Sequence, residues 1–140
     1  MPVNRRSERD IMSKTYNVDM NLDTSKFSPN GGFLMYAVDK EVDPRGFKER
    51  LGKEIFCYLA SAAISGANQR CGYDELKGFR RVQKMLDDAA NGTGLLVCNK
   101  TEIDVIKNSI RGNRNWVNSD EMLAVLDAII ERLNECLESN

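Results

Sequence analysis

Apolar and polar positions alternate strictly near the start of the chain. Tyr16, Val18, Met20 and Leu22 are each followed by a polar residue. A period of two over eight residues predicts a strand that is buried on one face. The turn-rich stretch "SKFSPNGG" comes next, and the continuous apolar run "FLMYAV" after it predicts a second, more deeply buried strand. We expect these two strands to pair antiparallel.

The middle of the chain changes to helical spacing. Asp43 followed by Pro44 predicts a helix start, because aspartate caps helices and proline fits the first helical position. The apolar positions of this helix run from Phe47 to Ala62, and those of a second helix run from Leu76 to Ala90. The apolar stretch "LLVC" then predicts a third strand that closes against the first two.

Two more helices are predicted at the end of the chain. Thr101 is expected to cap a brief helix, and Asn118 with Glu121 resembles a capping box at the start of a long one. The long helix is amphipathic, with apolar residues at a and d spacing and a second apolar flank beside them. The width of this stripe favours packing onto the domain, or onto a second copy, over a narrow two-stranded coiled coil.

These elements predict one domain of the α+β class. Residues 1–14 are polar and without periodicity, which predicts a flexible N-terminal arm, and residues 15–140 form the domain. We expect a small antiparallel sheet of two or three strands packed against about four helices, with a long amphipathic C-terminal helix. A domain of this size can bury a core without metal or disulfide support.

Composition points to a chain that stays inside the cell. No apolar run approaches the length of a membrane span, and the charged N-terminus lacks the apolar region of a secretory signal. The four cysteines are not closely spaced, and there is no histidine. We therefore expect reduced thiols, a cytoplasmic location and no metal site.

Charge is spread unevenly although the net charge is −1. Residues 51–114 carry ten basic and seven acidic groups, whereas residues 115–140 carry one basic and six acidic groups. The middle of the chain is therefore mildly basic and its last helix acidic. This asymmetry suits complementarity within the chain, or between two copies, at least as well as it suits an external partner.

The second helix concentrates basic residues on one face. Lys77, Arg80, Arg81 and Lys84 fall within an arc of about 100°, opposite the apolar positions. Such a face can neutralise several phosphates. Acidic residues punctuate it, however, and no aromatic residue interleaves with the charges to stack on a base. The pattern favours a solvated helix face and leaves an anion site as the alternative.

A second basic cluster, Arg111 and Arg114, lies beside Trp116 in a polar loop. Arginine and tryptophan are enriched in binding hot spots, and loops often carry binding residues. The alternative is that Trp116 anchors the loop to the core. Candidate interface residues are Trp116, Leu123, Ile130 and Leu137.

Few of the usual catalytic residues and motifs occur in this sequence. Without histidine the usual acid–base and triad chemistry is absent, and no glycine-rich segment matches a nucleotide-binding motif. We predict that the protein is not an enzyme and needs no cofactor. It is expected to be a binding or regulatory protein that acts through protein–protein contacts as a homo-oligomer.

The alternative function is binding of nucleic acid or of an anionic ligand such as a nucleotide, through the two basic clusters. The end of the chain is similar in layout to many small accessory proteins of phages and mobile elements, with a short capped helix, a polar loop and a long amphipathic helix. That similarity implies a viral or mobile-element setting.

Overall fold

The computed structural model describes residues 14–27, 35–42 and 44–138. The predicted arm, apart from Lys14, lies outside these residues and remains a prediction. The described helices are four: α1 (Gly52–Ala67), α2 (Tyr73–Asn91), α3 (Lys100–Gly112) and α4 (Asp120–Glu138). The described strands are β1 (Tyr16–Asp19), β2 (Met35–Ala37), β3 (Phe47–Glu49) and β4 (Leu95–Cys98).

The alternating segment forms β1, which pairs antiparallel with β4. Val18 lies opposite Leu96, and both are buried, because one face of this two-stranded sheet covers the core. On the other face Leu95 and Val97 are about half exposed. The prediction of a one-sided strand is confirmed for residues 16–19. The stretch "LLVC" pairs with it as expected, but the expected closure against both earlier strands is wrong, because β2 lies in a separate sheet.

The expected pairing of the first strand with "FLMYAV" is wrong. Residues 35–37 of that run form β2, which pairs antiparallel with β3 in a separate two-stranded sheet. The connection between β2 and β3 ends at Gly46, whose φ of 75° suits glycine and whose carbonyl oxygen accepts the Val38 N–H at 3.1 Å.

The predicted start of the first helix is also wrong. Pro44 lies in a turn, residues 47–49 form β3, and α1 begins at Gly52, whereas Asp43 lies outside the described residues. Proline fits position two of a turn as well as the first position of a helix, so its presence alone did not decide between them. The carboxylate at the start of α1 is Glu54, whose Oε1 accepts the Leu51 backbone N–H at 2.8 Å.

The other three helices are confirmed, with two corrections at their caps. Asn99, and not Thr101, caps α3: its Oδ1 accepts the Glu102 N–H at 2.8 Å, and Glu102 Oε1 accepts the Asn99 N–H at 2.8 Å. At the start of α4 the Met122 N–H donates to Ser119 Oγ at 3.1 Å, where Asn118 was expected.

The helices pack around α1, which contacts α2 on one side and α3 on another. The sheet of β1 and β4 lies between two of them, since α2 packs against β4 and α4 packs against β1. The fully buried side chains include Phe56 and Leu59 of α1, Ile106 of α3 and Ile129 of α4. The α+β class, the four helices and the long C-terminal helix are confirmed. None of the described helices combines the length and apolar content needed to cross a bilayer.

Candidate functional site

The side of α4 that faces away from the core is strongly acidic. The apolar residues of this helix point toward β1 and α3, which leaves its charged positions in solvent. The basic residue of α4, Arg132, leans toward the sheet, where its Nη1 lies 3.4 Å from Asp19 Oδ2. The outer face of α4 comprises the exposed acids Asp120, Asp127, Glu131, Glu135 and Glu138. We call this set the acidic face.

A groove lined by both polar and apolar side chains adjoins the acidic face at the start of α4. It has a volume of about 560 Å³ and is formed by the α3–α4 loop and the first two turns of α4. Val117 is 66% exposed and Leu123 is 59% exposed, although both are large apolar side chains. Trp116 forms one wall and is half-buried; its Nε1 donates to the Ile110 carbonyl oxygen at 3.0 Å. The indole therefore anchors the loop and also shapes the groove.

The candidate interface residues differ in their exposure to solvent. Leu123 lies in the groove, whereas Ile130 and Leu137 are partly buried against the core. The three recur every seven residues, so they follow one edge of α4. That edge is exposed at Leu123 and partly buried at Ile130 and Leu137.

The basic residues on α2 are all exposed, and three of them contact neighbours within the chain. Arg81 Nη2 lies 3.4 Å from Glu102 Oε2 on α3. Arg80 Nη1 donates to Gln83 Oε1 at 3.3 Å. The ammonium group of Lys77 lies 5.2 Å from the centre of the Tyr73 ring. We call Lys77, Arg80, Arg81 and Lys84 the basic face.

The contact between Arg81 and Glu102 ties α2 to α3. Glu102 is only 8% exposed, and its Oε2 is buried without a hydrogen-bond partner among the described residues. A buried carboxylate without compensation is costly, so the nearby guanidinium stabilises it. Arg81 therefore has a structural role that the sequence did not indicate.

The second basic cluster lies at the end of the molecule where α2 begins. Asn68, which follows α1, donates through Nδ2 to Ser109 Oγ at 3.1 Å, so α1 and α3 end together. Because α2 starts five residues after Asn68, its first turns share that end with the exposed Arg111 and Arg114. The first turns of α2 and α4 bring exposed or half-exposed acidic residues to the same end of the molecule. Their negative charge offsets the positive charge of Arg111 and Arg114.

Three of the four thiols are buried in surroundings that keep them protonated. Burial and a hydrogen bond from Cys57 Sγ to Asp87 Oδ1 raise the pKa of Cys57 to about 12. Burial, with the nearby Glu102 carboxylate, raises the pKa of Cys98 to about 12, and burial also raises that of Cys136. A thiolate is the reactive form, so none of these three is suited to act as a nucleophile. The described residues include no group of three or more metal-binding side chains.

We expect Cys71 to react with a thiol reagent well before the other cysteines. It is the exposed cysteine, in the loop before α2, whereas the other three are buried. Timed alkylation of the native protein near neutral pH, followed by peptide mass spectrometry, should find Cys71 modified first. The other three should react only when the protein unfolds. Equal rates at Cys71 and Cys57 would contradict this placement.

Comparison with known proteins gives no independent indication of a class. No family model, curated protein or solved structure matches this chain. The functional proposal therefore depends on the two charged faces and the groove.

Proposed function

We propose that this chain is a non-catalytic binding protein that acts through protein–protein contacts and associates with itself. The observation that carries the proposal is the acidic face of α4 beside a groove with exposed Leu123 and Val117. We also propose that it works in the cytoplasm, as an accessory protein of a phage or mobile element.

The combination of apolar and acidic surface favours a protein partner. Apolar side chains in a groove supply the desolvated centre of an interface, and Trp116 and Leu123 are positioned to do so here. The surrounding carboxylates would repel a phosphate backbone but would steer a positively charged protein surface toward the groove. Self-association is supported because the same chain also carries such a surface on α2.

Anion binding by the two basic clusters is the second candidate function. It is supported by the exposure of all six basic residues and by the position of Arg111 and Arg114 at the end where α2 begins. Against it, Arg81 and Arg80 already have partners within the chain. Nucleic acid that co-purifies with the protein and is removed by high salt would favour this candidate.

The proposal predicts protein cross-links from the groove. We would replace Leu123 with the photo-reactive amino acid p-benzoylphenylalanine and irradiate the protein, both purified and in the cells that produce it. A covalent adduct with a protein chain is expected, because the exposed leucine is placed at the centre of the contact.

The matched control carries the same probe at Leu95, which is about half exposed on the outer face of the sheet. It should give much less adduct. Equal adduct from both positions, or none from Leu123 under either condition, would contradict a protein-binding groove.

A further inference from the structure

The acidic face and the basic face lie on helices that flank different strands. The helix α2 packs against β4, and α4 packs against β1, the other strand of the same sheet. Among the described residues no ion pair joins α2 to α4. Apart from the pair of Arg81 with Glu102, neither face forms an ion pair within the described part of the chain, although the chain as a whole is nearly neutral.

We propose that the basic face of one copy binds the acidic face of a second copy. This rests on the proposed function and names the partner of the same surface. The contact joins two different patches, so it is heterologous, and repetition of it gives a ring or an open chain of copies.

The charges on the two helices have matching intervals. Lys77 and Lys84 are seven residues apart, and so are Asp120 and Asp127. Seven residues span about 10.5 Å along a helix, and both sets point away from the core. Two helices placed side by side can therefore align two ion pairs at once.

Each face also borders exposed apolar surface. On α2, Tyr73 is 73% exposed and Leu76 is 49% exposed. Beside the acidic face, Leu123 of α4 and Val117 of the α3–α4 loop are both exposed. Burying these four side chains would add an apolar centre to a contact that ion pairs alone would hold weakly.

A charge-exchange experiment tests the contact. The first variant, K77E/K84E, takes the net charge of the basic face from +4 to zero, and the second, D127K/E131K, takes that of the acidic face from −5 to −1. Arg81 is left unchanged because it pairs with Glu102. In each variant one face has lost most of its charge, so the association constant should fall about tenfold or more at low salt.

An equimolar mixture of the two variants should associate again, because the unaltered basic face of the second variant then meets the unaltered acidic face of the first. The readout is weight-average mass by light scattering across a concentration series, at low and at high salt. The wild type should exceed the 15.8 kDa of one chain as concentration rises, and high salt should reduce its mass.

The control variant K40E/K48E has the same change in net charge as the first variant, at exposed sites of the β2–β3 hairpin and outside the basic face. It should associate like the wild type. Melting temperatures close to that of the wild type show that the variants fold. If a variant unfolds, the single substitutions K84E and D127K, alone and mixed, take the place of the double ones.

Three outcomes would overturn the proposal: a wild type that stays monomeric at every concentration and salt, a mixture that fails to associate, or a control that weakens like the first variant. A monomeric wild type whose Leu123 probe still captures another protein would refute this inference and the proposed self-association, and would leave protein binding by the groove standing. Nucleic acid bound to the α2 face, removed by high salt, would likewise assign that face to a different partner.

Discussion

Replacing Gly52 with alanine is expected to lower the free energy of unfolding by about 1–3 kcal/mol, within the range for overpacked sites. Gly52 opens α1 directly against the chain segment that follows β1. A Cβ atom there would lie 2.5 Å from the Leu22 backbone nitrogen and closer still to its carbonyl oxygen. Backbone cannot rotate away as a side chain can, so α1 and this segment must separate. Chemical denaturation monitored by circular dichroism measures the change.

The matched control is Gly78→Ala on the exposed side of α2. A Cβ atom at Gly78 meets nothing within 4 Å. Alanine is the better helix former, so this substitution should raise the free energy of unfolding by about 0.5–1 kcal/mol. A Gly52→Ala protein as stable as the wild type would contradict the close approach of α1 to Leu22.

Replacing Arg81 with glutamate is expected to lower the free energy of unfolding by about 1–3 kcal/mol. The substitution removes the cation 3.4 Å from Glu102 Oε2 and sets a second carboxylate near a side chain that is almost fully buried. The guanidinium itself is largely exposed, so the loss in the free energy of unfolding should be smaller than for a fully buried ion pair.

The control for Arg81 is Lys84→Glu, one turn further along the same face. Lys84 is exposed and makes no ion pair among the described residues, so its reversal should change stability by less than about 0.5 kcal/mol. Equal losses in the two variants would contradict a structural role for Arg81. The comparison also separates loss of binding from loss of structure when the basic face is altered.

Periodicity along the sequence predicted the helices and the alternating strand because burial depends on which face of an element a residue occupies. Val18 and Leu96 are buried where alternation placed them, and α2 to α4 lie where helical spacing placed them. The choice of strand partner could not be predicted in this way. The partner of β1 lies more than seventy residues away along the chain, and its selection depends on how α2 and α4 cover the sheet.

The candidate site was predictable in its charges but not in their partners. The clustering of Lys77, Arg80, Arg81 and Lys84 is visible in the sequence, whereas the contact of Arg81 with Glu102 joins two helices and has no local signal. Tyr73 was overlooked, although it is four residues before Lys77 and so shares its side of the helix.

The groove illustrates the same limit. Helical spacing placed Leu123 on the apolar stripe of α4. Its exposure depends on where the α3–α4 loop ends. Two roles of Trp116 were treated as alternatives: it could anchor the loop to the core, or it could bind a partner. The indole hydrogen bond to Ile110 and the position of the ring on the groove wall are compatible with both roles.

The central claim is that the groove and acidic face of α4 bind protein. Mapping of the photo-cross-link from position 123 tests it most directly, because mass spectrometry identifies both the captured chain and the point of attachment. We predict attachment to a second copy of this chain, within residues 73–84 of α2. If the probe at position 123 captures no protein, and so gives the same result as the control probe at position 95, the account is contradicted.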